Sequence, residues 1–325
     1  MSSSASTLPS ILTMLQEKLT FYVLPFYIVL GIFGNTFCII YFTGKSHRKS
    51  SCAFYLIIAA IVNTFAVTFG VTTNVISTWQ PSTSTLIIYC KLRMYFNHSL
   101  IFIGRMLTLL ASIDTYAMTS RNAISRRFSQ RTCAHKFSIL MFFCCPLIAV
   151  HIPIMNTVVS GQCVMTGIYS LFFAIYQMFI AGIFPPIMMT IFSCLAYHNM
   201  KKNVIVQGQS GQQIKHKHQR QLVSMVTTQI VVYILSAELV PVTTLYRTLT
   251  SNVQGKSQNQ KSIESFIVFI ASNFLLYLNT WAAFFIYYAT SSSFRSDFIR
   301  VLKRKSRIQP LETTGGITLG SIQRH

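Results

Sequence analysis

The sequence predicts an all-α membrane protein, built as a seven-transmembrane helix bundle with a short amphipathic cytoplasmic helix after the seventh span. Three observations lead to this prediction. The chain of 325 residues is 52% hydrophobic and only 10% charged, a composition outside the range of ordinary soluble domains. Seven apolar stretches reach the roughly 20 residues needed to cross a hydrocarbon core of about 30 Å. A basic, amphipathic stretch follows the last of them.

The seven spans divide the chain into three parts. We expect an extracellular N-terminal segment over residues 1–21, the seven-helix domain over 22–290, and a tail over 291–325. Residues 1–20 lack the basic start and the long apolar core of a cleavable signal peptide. The predicted spans lie near residues 22–43, 52–76, 90–117, 134–154, 167–195, 221–246 and 264–289.

The distribution of basic residues predicts the orientation. Of the 27 Lys and Arg residues, 20 lie in the segments after the first, third and fifth spans or in the tail. Because basic residues accumulate on the cytoplasmic side, this asymmetry indicates an extracellular N-terminus and a cytoplasmic C-terminus. The net charge of +21 is therefore mainly a topology signal, and we expect no nucleic-acid partner.

The segment after the seventh span predicts a helix that lies on the membrane surface. Phe294, Phe298, Val301 and Leu302 share one helical face within residues 293–305, and basic residues occupy the other. Such a helix suits an anionic inner leaflet, and the alternative is a solvated basic tail. The remaining residues, rich in Gly, Ser and Thr, predict disorder.

Two of the eight cysteines are predicted to share the oxidising side of the membrane. The other six lie inside spans or on the cytoplasmic side, where free thiols are expected. Cys90 stands at the outer start of the third span and Cys163 in the outer loop before the fifth. We therefore predict a disulfide between them, and the alternative is two unpaired thiols.

Several residues within the spans stand at spacings typical of one receptor family. They form a Gly-Asn pair, an Asp-x-Tyr triplet and prolines in the fifth and sixth spans. These residues are Gly34, Asn35, Asp114, Tyr116, Pro241 and either Pro185 or Pro186. Over residues 22–305 the chain resembles rhodopsin-like (class A) G-protein-coupled receptors, and it looks most like invertebrate orphan and FMRFamide-type peptide receptors. The resemblance implies a plasma-membrane receptor that signals through a heterotrimeric G protein.

The chain departs from this family at its switch positions. Thr115 replaces the arginine of Asp-Arg-Tyr, between Asp114 and Tyr116, and Leu239 replaces the tryptophan before the sixth-span proline. The second-span aspartate is replaced by Asn63, and the seventh-span motif keeps only a tyrosine. That tyrosine is Tyr287 or Tyr288. A receptor that binds a ligand without coupling, or acts as a decoy, is therefore the alternative.

Family receptors bind ligands with the outer halves of the third, fifth, sixth and seventh helices. The resemblance places eight residues there: Asn97, His98, Ile101, Gln177, Thr243, Tyr246, Asn273 and Tyr277. This set is polar and largely uncharged, and no lysine in 264–289 can hold retinal. We expect an extracellular peptide ligand, with a small neutral odorant as the alternative. His98 alone has a second interpretation, as a hydrogen-bonded helix histidine without a ligand role.

The sequence offers no set of residues for catalysis. No pair among the six acidic residues has catalytic or metal-ligand spacing. We therefore expect neither an enzyme nor a bound metal or cofactor. A membrane transporter is the rival from another class, because charged residues within spans often line substrate paths.

Arg105 is the charge that most needs explanation, since it lies about 22 Å below Cys90 on a helix. An unpaired charge at that depth costs from about 3 to over 10 kcal/mol. Glu238, three residues before Pro241, is the only other acidic residue well inside a span apart from Asp114, which points elsewhere. We predict an Arg105–Glu238 pair that joins the third and sixth helices. The alternative is that Arg105 bonds backbone carbonyls and water while Glu238 stays protonated.

Overall fold

The protein is a bundle of seven long helices, seen in a computed structural model that describes residues 7–45, 47–159, 161–206, 213–250, 253 and 255–305. Seven helices in this part of the chain are long and apolar enough to cross a membrane. They are spans 1 to 7: Leu8–Thr43, Ser51–Trp79, Ile87–Thr119, Arg131–Met155, Ile168–Lys202, Arg220–Leu249 and Gln258–Thr290. The predicted seven-helix bundle is confirmed.

Several spans consist of more than one regular helix. The component α-helices are Thr7–Lys18, Leu24–Thr43, Ser51–Trp79, Ile87–Thr119, Arg131–Ile148, His151–Met155, Ile168–Tyr176, Phe184–Val206, Gln213–Ala237, Leu239–Leu249, Gln258–Ile270 and Leu276–Thr290. Short π-helical segments join three of these pairs, at Leu19–Val23, Gln177–Ile183 and Ala271–Leu275. In span 6 the break falls at Glu238, because Pro241 has no N–H to bond the carbonyl of Ala237.

The described parts of the connections contain short, locally stabilised elements. Pro81–Thr85 forms a 3-10 turn and Ala123–Phe128 a short helix. Side chains cap three helix starts by accepting backbone N–H groups: Ser50 from Ala53, Asn122 from Ile124, and Ser257 from Gln260. Between spans 4 and 5 the strands Thr157–Val159 and Gln162–Val164 pair antiparallel. Gly161 takes a positive φ of 75° in the turn of this hairpin.

The Gly34-Asn35 pair holds span 1 against span 7. A Cβ on Gly34 would lie 2.9 Å from the Cβ of Phe284, so glycine permits this close approach. The amide of Asn35 then donates a 2.9 Å hydrogen bond to the carbonyl of Thr280. Asn35 is almost fully buried, and this bond satisfies a group that would otherwise be costly to bury.

The amphipathic helix after span 7 covers Ser292–Lys305. Phe294 is fully buried, and its ring lies 5.2 Å from that of Phe37. Phe298 also stacks edge-on against Phe37, at 4.8 Å. Val301 and Leu302 remain exposed. The apolar face therefore packs on the bundle through its two phenylalanines and leaves its two aliphatic residues outside the protein. The disorder predicted beyond this helix falls on residues outside the described ranges.

The N-terminal segment is helical from Thr7 and continues into span 1. The boundary at residue 21 between an extracellular segment and the first span stays a prediction, because a continuous helix does not mark where the membrane begins. Hydropathy falls at Gln16, Glu17 and Lys18, but these residues are compatible with a helix and lie on its surface. The added turns pack beside Gln258–Ile270. Residues 1–6 lie outside the described part.

Candidate functional site

A cavity of about 260 Å³ lies between the spans at one end of the bundle. The same end carries the Cys90–Cys163 disulfide and is called here the disulfide end, and the end that carries Ser292–Lys305 is called the tail end. Six of the eight residues predicted to bind a ligand line this cavity. They are Asn97, His98, Ile101, Gln177, Asn273 and Tyr277.

Thr243 and Tyr246 do not line this cavity, contrary to the prediction. They border a separate, more open cavity at the disulfide end between spans 6 and 7. There Glu264 accepts hydrogen bonds from the Tyr246 hydroxyl at 3.0 Å and from the Lys256 ammonium at 2.6 Å. The break at Glu238 shifts the register of the last turns of span 6, so that Val240 and Thr244 face the main cavity instead. Leu239, at the position of the family tryptophan, is 45% exposed.

Polar side chains connect spans 2, 3 and 7 along the cavity wall. Arg93 donates hydrogen bonds to the Ser77 hydroxyl and, at 2.8 Å, to the side-chain amide oxygen Oδ1 of Asn74. The Asn74 amide in turn donates to Asn273 at 2.7 Å. No role was predicted for Arg93 from the sequence. Its position three residues after Cys90, on the first turns of span 3, was the signal that it enters the bundle.

Deeper in the cavity, the Tyr277 hydroxyl donates a 2.8 Å hydrogen bond to Asn97. Only glycine at position 70 leaves room for this pair, because a Cβ there would collide with both side chains. His98 Nε2 and the Tyr176 hydroxyl are also hydrogen bonded, at 2.9 Å. Asn97, Tyr277 and His98 are therefore held in fixed positions, as pre-organised recognition groups are.

Arg105 forms the floor of the cavity and is only 8% exposed. Its Nη1 donates a 2.9 Å hydrogen bond to the carbonyl oxygen of Ala181. The helical donors for this carbonyl would be the N–H groups four or five residues later, and those positions are Pro185 and Pro186, which have none. The N–H of Phe184 bonds Phe179 instead. The tandem prolines thus leave free a carbonyl that the buried guanidinium uses.

The predicted Arg105–Glu238 ion pair is not formed. Among the described residues no ion pair within 4.0 Å joins them, although Arg105 acts electrostatically on Glu238. The Glu238 carboxylate lies against Gly182, where a Cβ would come within 3.1 Å of its Oε2. The Arg105 guanidinium instead lies 5.2 Å from the centre of the Tyr233 ring. The backbone carbonyl of Ala181, freed by proline, satisfies Arg105 more closely than the distant carboxylate.

The Cys90–Cys163 bond anchors the hairpin to the start of span 3, with a Cα–Cα distance of 5.6 Å. The predicted pairing is confirmed, and the other cysteines are free. Cys90→Ser should lower the free energy of unfolding by roughly 4 kcal/mol, because the bond closes a long loop, here of 73 residues. Thermal unfolding with and without reductant measures the loss.

Cys194→Ser is the matched control, since Cys194 is an exposed free thiol, and it should leave the unfolding midpoint unchanged. Peptide mass spectrometry without reduction should recover Cys90 and Cys163 in one cross-linked fragment. Recovery of both as free thiols would contradict the structure.

At the tail end, the predicted switch residues Asp114 and Thr115 are buried, and Tyr116 is partly buried. Thr115 is 2% exposed, and its hydroxyl lies 3.5 Å from the sulfur of Cys52 in span 2. The Asp114 carboxylate is also buried, and neither oxygen has a hydrogen-bond partner. Tyr116 packs instead toward span 5, with its ring 5.7 Å from that of Phe192.

Span 6 is tied to span 7 at this end. The hydroxyl of Tyr287 donates a 2.5 Å hydrogen bond to Gln229, and Gln221 donates to Ser291. Val223 of span 6 packs in a cluster with Tyr116. Tyr288, the other predicted tyrosine, is 37% exposed and stacks on Phe298. The tail end is therefore closed, and Tyr287 is the tyrosine that contacts span 6.

No family model matches the chain, and no curated protein matches it. The fold is that of a membrane protein with a seven-helix bundle. A functional assignment rests on the cavity and on the residues of the two ends.

Proposed function

We propose that the chain is a rhodopsin-like receptor that binds an extracellular ligand in the cavity at the disulfide end and signals through a heterotrimeric G protein. One observation carries the proposal: six residues chosen from the sequence as ligand contacts line one cavity. The Cys90–Cys163 bond fixes a hairpin beside the same end. The basic loops favour an extracellular position for this end.

The contacts that hold span 6 at the tail end support a receptor whose ligand-free state does not engage a G protein. Opening of this end would move span 6 away from spans 3 and 7. The hydrogen bond from Tyr287 to Gln229 and the packing of Val223 with Tyr116 oppose that movement. Ligand binding would act on the same helices, because the floor residue Arg105 stacks on Tyr233 of span 6. A ligand shifts this equilibrium only by as much as it binds the open state more tightly.

The second candidate is a receptor that binds without coupling, and Thr115 favours it. The side chain at this position lies against Cys52 and offers no positive charge to a G protein. The peptide expected from the resemblance remains the ligand class in both candidates.

A screen in cells that express the full chain distinguishes the candidates and the transporter alternative. Peptide and small-molecule libraries are tested for binding, second messengers and uptake of labelled compound. The proposal expects binding with a second-messenger response and no uptake. Binding alone would support the non-coupling receptor, and uptake that is independent of any G protein would replace the proposal with a transporter.

A further inference from the structure

The 260 Å³ cavity is lined by two positively charged residues and, among the described residues, by no negatively charged one. Arg93 lies near its mouth and Arg105 at its floor, 12 residues apart on one helix and therefore about 18 Å apart along it. No aspartate or glutamate is among the described residues that line it. The residues predicted from the sequence to bind a ligand are largely uncharged, because they include neither arginine.

Arg105 has donors left over after its contacts with the protein. A guanidinium carries five N–H groups, and the carbonyl of Ala181 is the only hydrogen-bond acceptor found for it among the described residues. The Tyr233 ring covers one face of the group. A charge in this position needs a further partner. Arg105 borders the 260 Å³ cavity and a second space of about 30 Å³ that Tyr233 also lines, and the larger of the two has room for a ligand group.

Glu238 does not supply that partner. Its carboxylate packs behind Gly182 and beneath Pro241, outside the set that lines the cavity. It forms no ion pair with Arg105 within 4.0 Å among the described residues, and its Oε1 has no hydrogen-bond partner. A carboxylate placed in the cavity can approach the guanidinium with the two parallel hydrogen bonds that such pairs prefer.

Gln177 adds a second requirement. Its side chain is 9% exposed, lines the same cavity, and has an Oε1 without a hydrogen-bond partner. This acceptor sits on span 5 one helical turn before Ala181, the residue that Arg105 contacts. A ligand that satisfies both groups carries a carboxylate and, close to it, an N–H or O–H donor.

We propose that the cavity binds the carboxylate of an N-acylated amino acid or of a peptide C-terminus, with the acid on Arg105 and the neighbouring N–H on Gln177. A cavity of about 260 Å³ is small beside the roughly 300 to 1,000 Å³ of drug-sized sites. It therefore holds one terminal residue. The biological role of this binding rests on the proposed receptor function. A peptide with an amidated C-terminus has no terminal carboxylate and should therefore not bind in this way.

Binding to the full chain in lipid nanodiscs tests the proposal without any signalling readout. The probes are N-acetylphenylalanine and its amide, and an acetylated tetrapeptide that ends in phenylalanine, as free acid and as amide. Each acid should bind at least roughly tenfold more tightly than its amide, the difference expected for a charge-assisted hydrogen bond. Binding of the small acid alone indicates a metabolite, and binding of the peptide acid indicates a peptide terminus.

Substitutions test which residue causes the tighter binding of the acids relative to their amides. Arg105→Gln should abolish this preference, and Arg105→Lys should keep most of it. Arg247→Gln, at an exposed arginine outside the cavity, should not change it. If Arg105→Gln fails to fold, Gln177→Leu gives an independent test: N-acetylphenylalanine should lose affinity, whereas 3-phenylpropanoate, which lacks the N–H, should not.

Acids that bind no better than their amides, or no binding by either acid, would overturn this proposal. So would a preference that Arg105→Gln leaves intact. Acid binding without nucleotide exchange on a G protein would leave the ligand assignment standing and contradict only the proposed coupling.

Discussion

Replacing Arg105 by methionine should lower the free energy of unfolding by about 2 to 4 kcal/mol. The substitution leaves the carbonyl of Ala181 with only the long 3.5 Å contact from the Tyr233 hydroxyl, and a poorly satisfied buried group costs about 1 to 3 kcal/mol. It also removes the stacking on Tyr233 and the electrostatic partner of Glu238. Thermal unfolding in nanodiscs and the amount of protein at the cell surface measure the effect.

A second substitution tests the cause. Pro185→Ala in the Arg105→Met background restores an N–H four residues after Ala181, so it should recover part of the lost stability. Pro146→Ala is the matched control, because it adds an N–H within a helix of span 4 far from this carbonyl. Equal recovery in both double mutants would show that proline removal stabilises the bundle in general and would contradict the role of the Ala181 carbonyl.

The Glu238 substitution separates the two accounts of Arg105. A direct ion pair predicts that Glu238→Leu rescues Arg105→Met almost fully, since breaking one member of such a pair leaves the other charge unpaired at a cost of about 3 to 5 kcal/mol. The structure has no direct contact, and it predicts a small coupling between the two substitutions. A double-mutant cycle on the free energy of unfolding measures this coupling.

Thr115→Arg should raise basal or ligand-stimulated nucleotide exchange severalfold. Asp114 is buried beside it with both carboxylate oxygens unpaired, so a new arginine finds an acidic partner. The site is 2% exposed and packed against Cys52, so a long charged side chain also favours an open tail end. Nucleotide exchange on purified heterotrimeric G proteins measures the change.

Thr115→Met provides the volume of a longer side chain without the charge. It should not raise nucleotide exchange above the parent. If methionine acts as strongly as arginine, the effect comes from loosened packing and not from a restored contact. If arginine reaches the surface and leaves exchange unchanged, the tail-end account fails at this residue, and Leu239 becomes the next position to examine.

The fold was predictable because the spans are defined by length and hydropathy, which need no tertiary information. The pairing of Cys90 with Cys163 was also predictable, since the topology left no other outer cysteine. Likewise, Gly34 and Asn35 marked a close helix contact that the structure contains. These features depend on local composition or on the side of the membrane.

The site was predicted only in part, because it depends on helix irregularities. The break at Glu238 changes the register of the turns of span 6 that follow it, and Thr243 and Tyr246 lie outside the cavity. The partner of Arg105 was a backbone carbonyl, which has no sequence signature of its own. Pro185 and Pro186 were the available signal, because tandem prolines release the carbonyls one turn earlier.

Two neighbouring threonines on span 6 give the most direct test of the receptor account. Thr244 lines the cavity and Thr243 lies outside it, and each donates its hydroxyl to a carbonyl of its own helix. The measurement is nucleotide exchange on a heterotrimeric G protein, stimulated by the ligand found in the cell screen, for Thr244→Trp and Thr243→Trp. The account predicts that Thr244→Trp fills the cavity and abolishes stimulation, while Thr243→Trp keeps it. Equal stimulation in both variants, or none in the parent protein and in Thr115→Arg alike, would contradict a receptor that signals from this cavity.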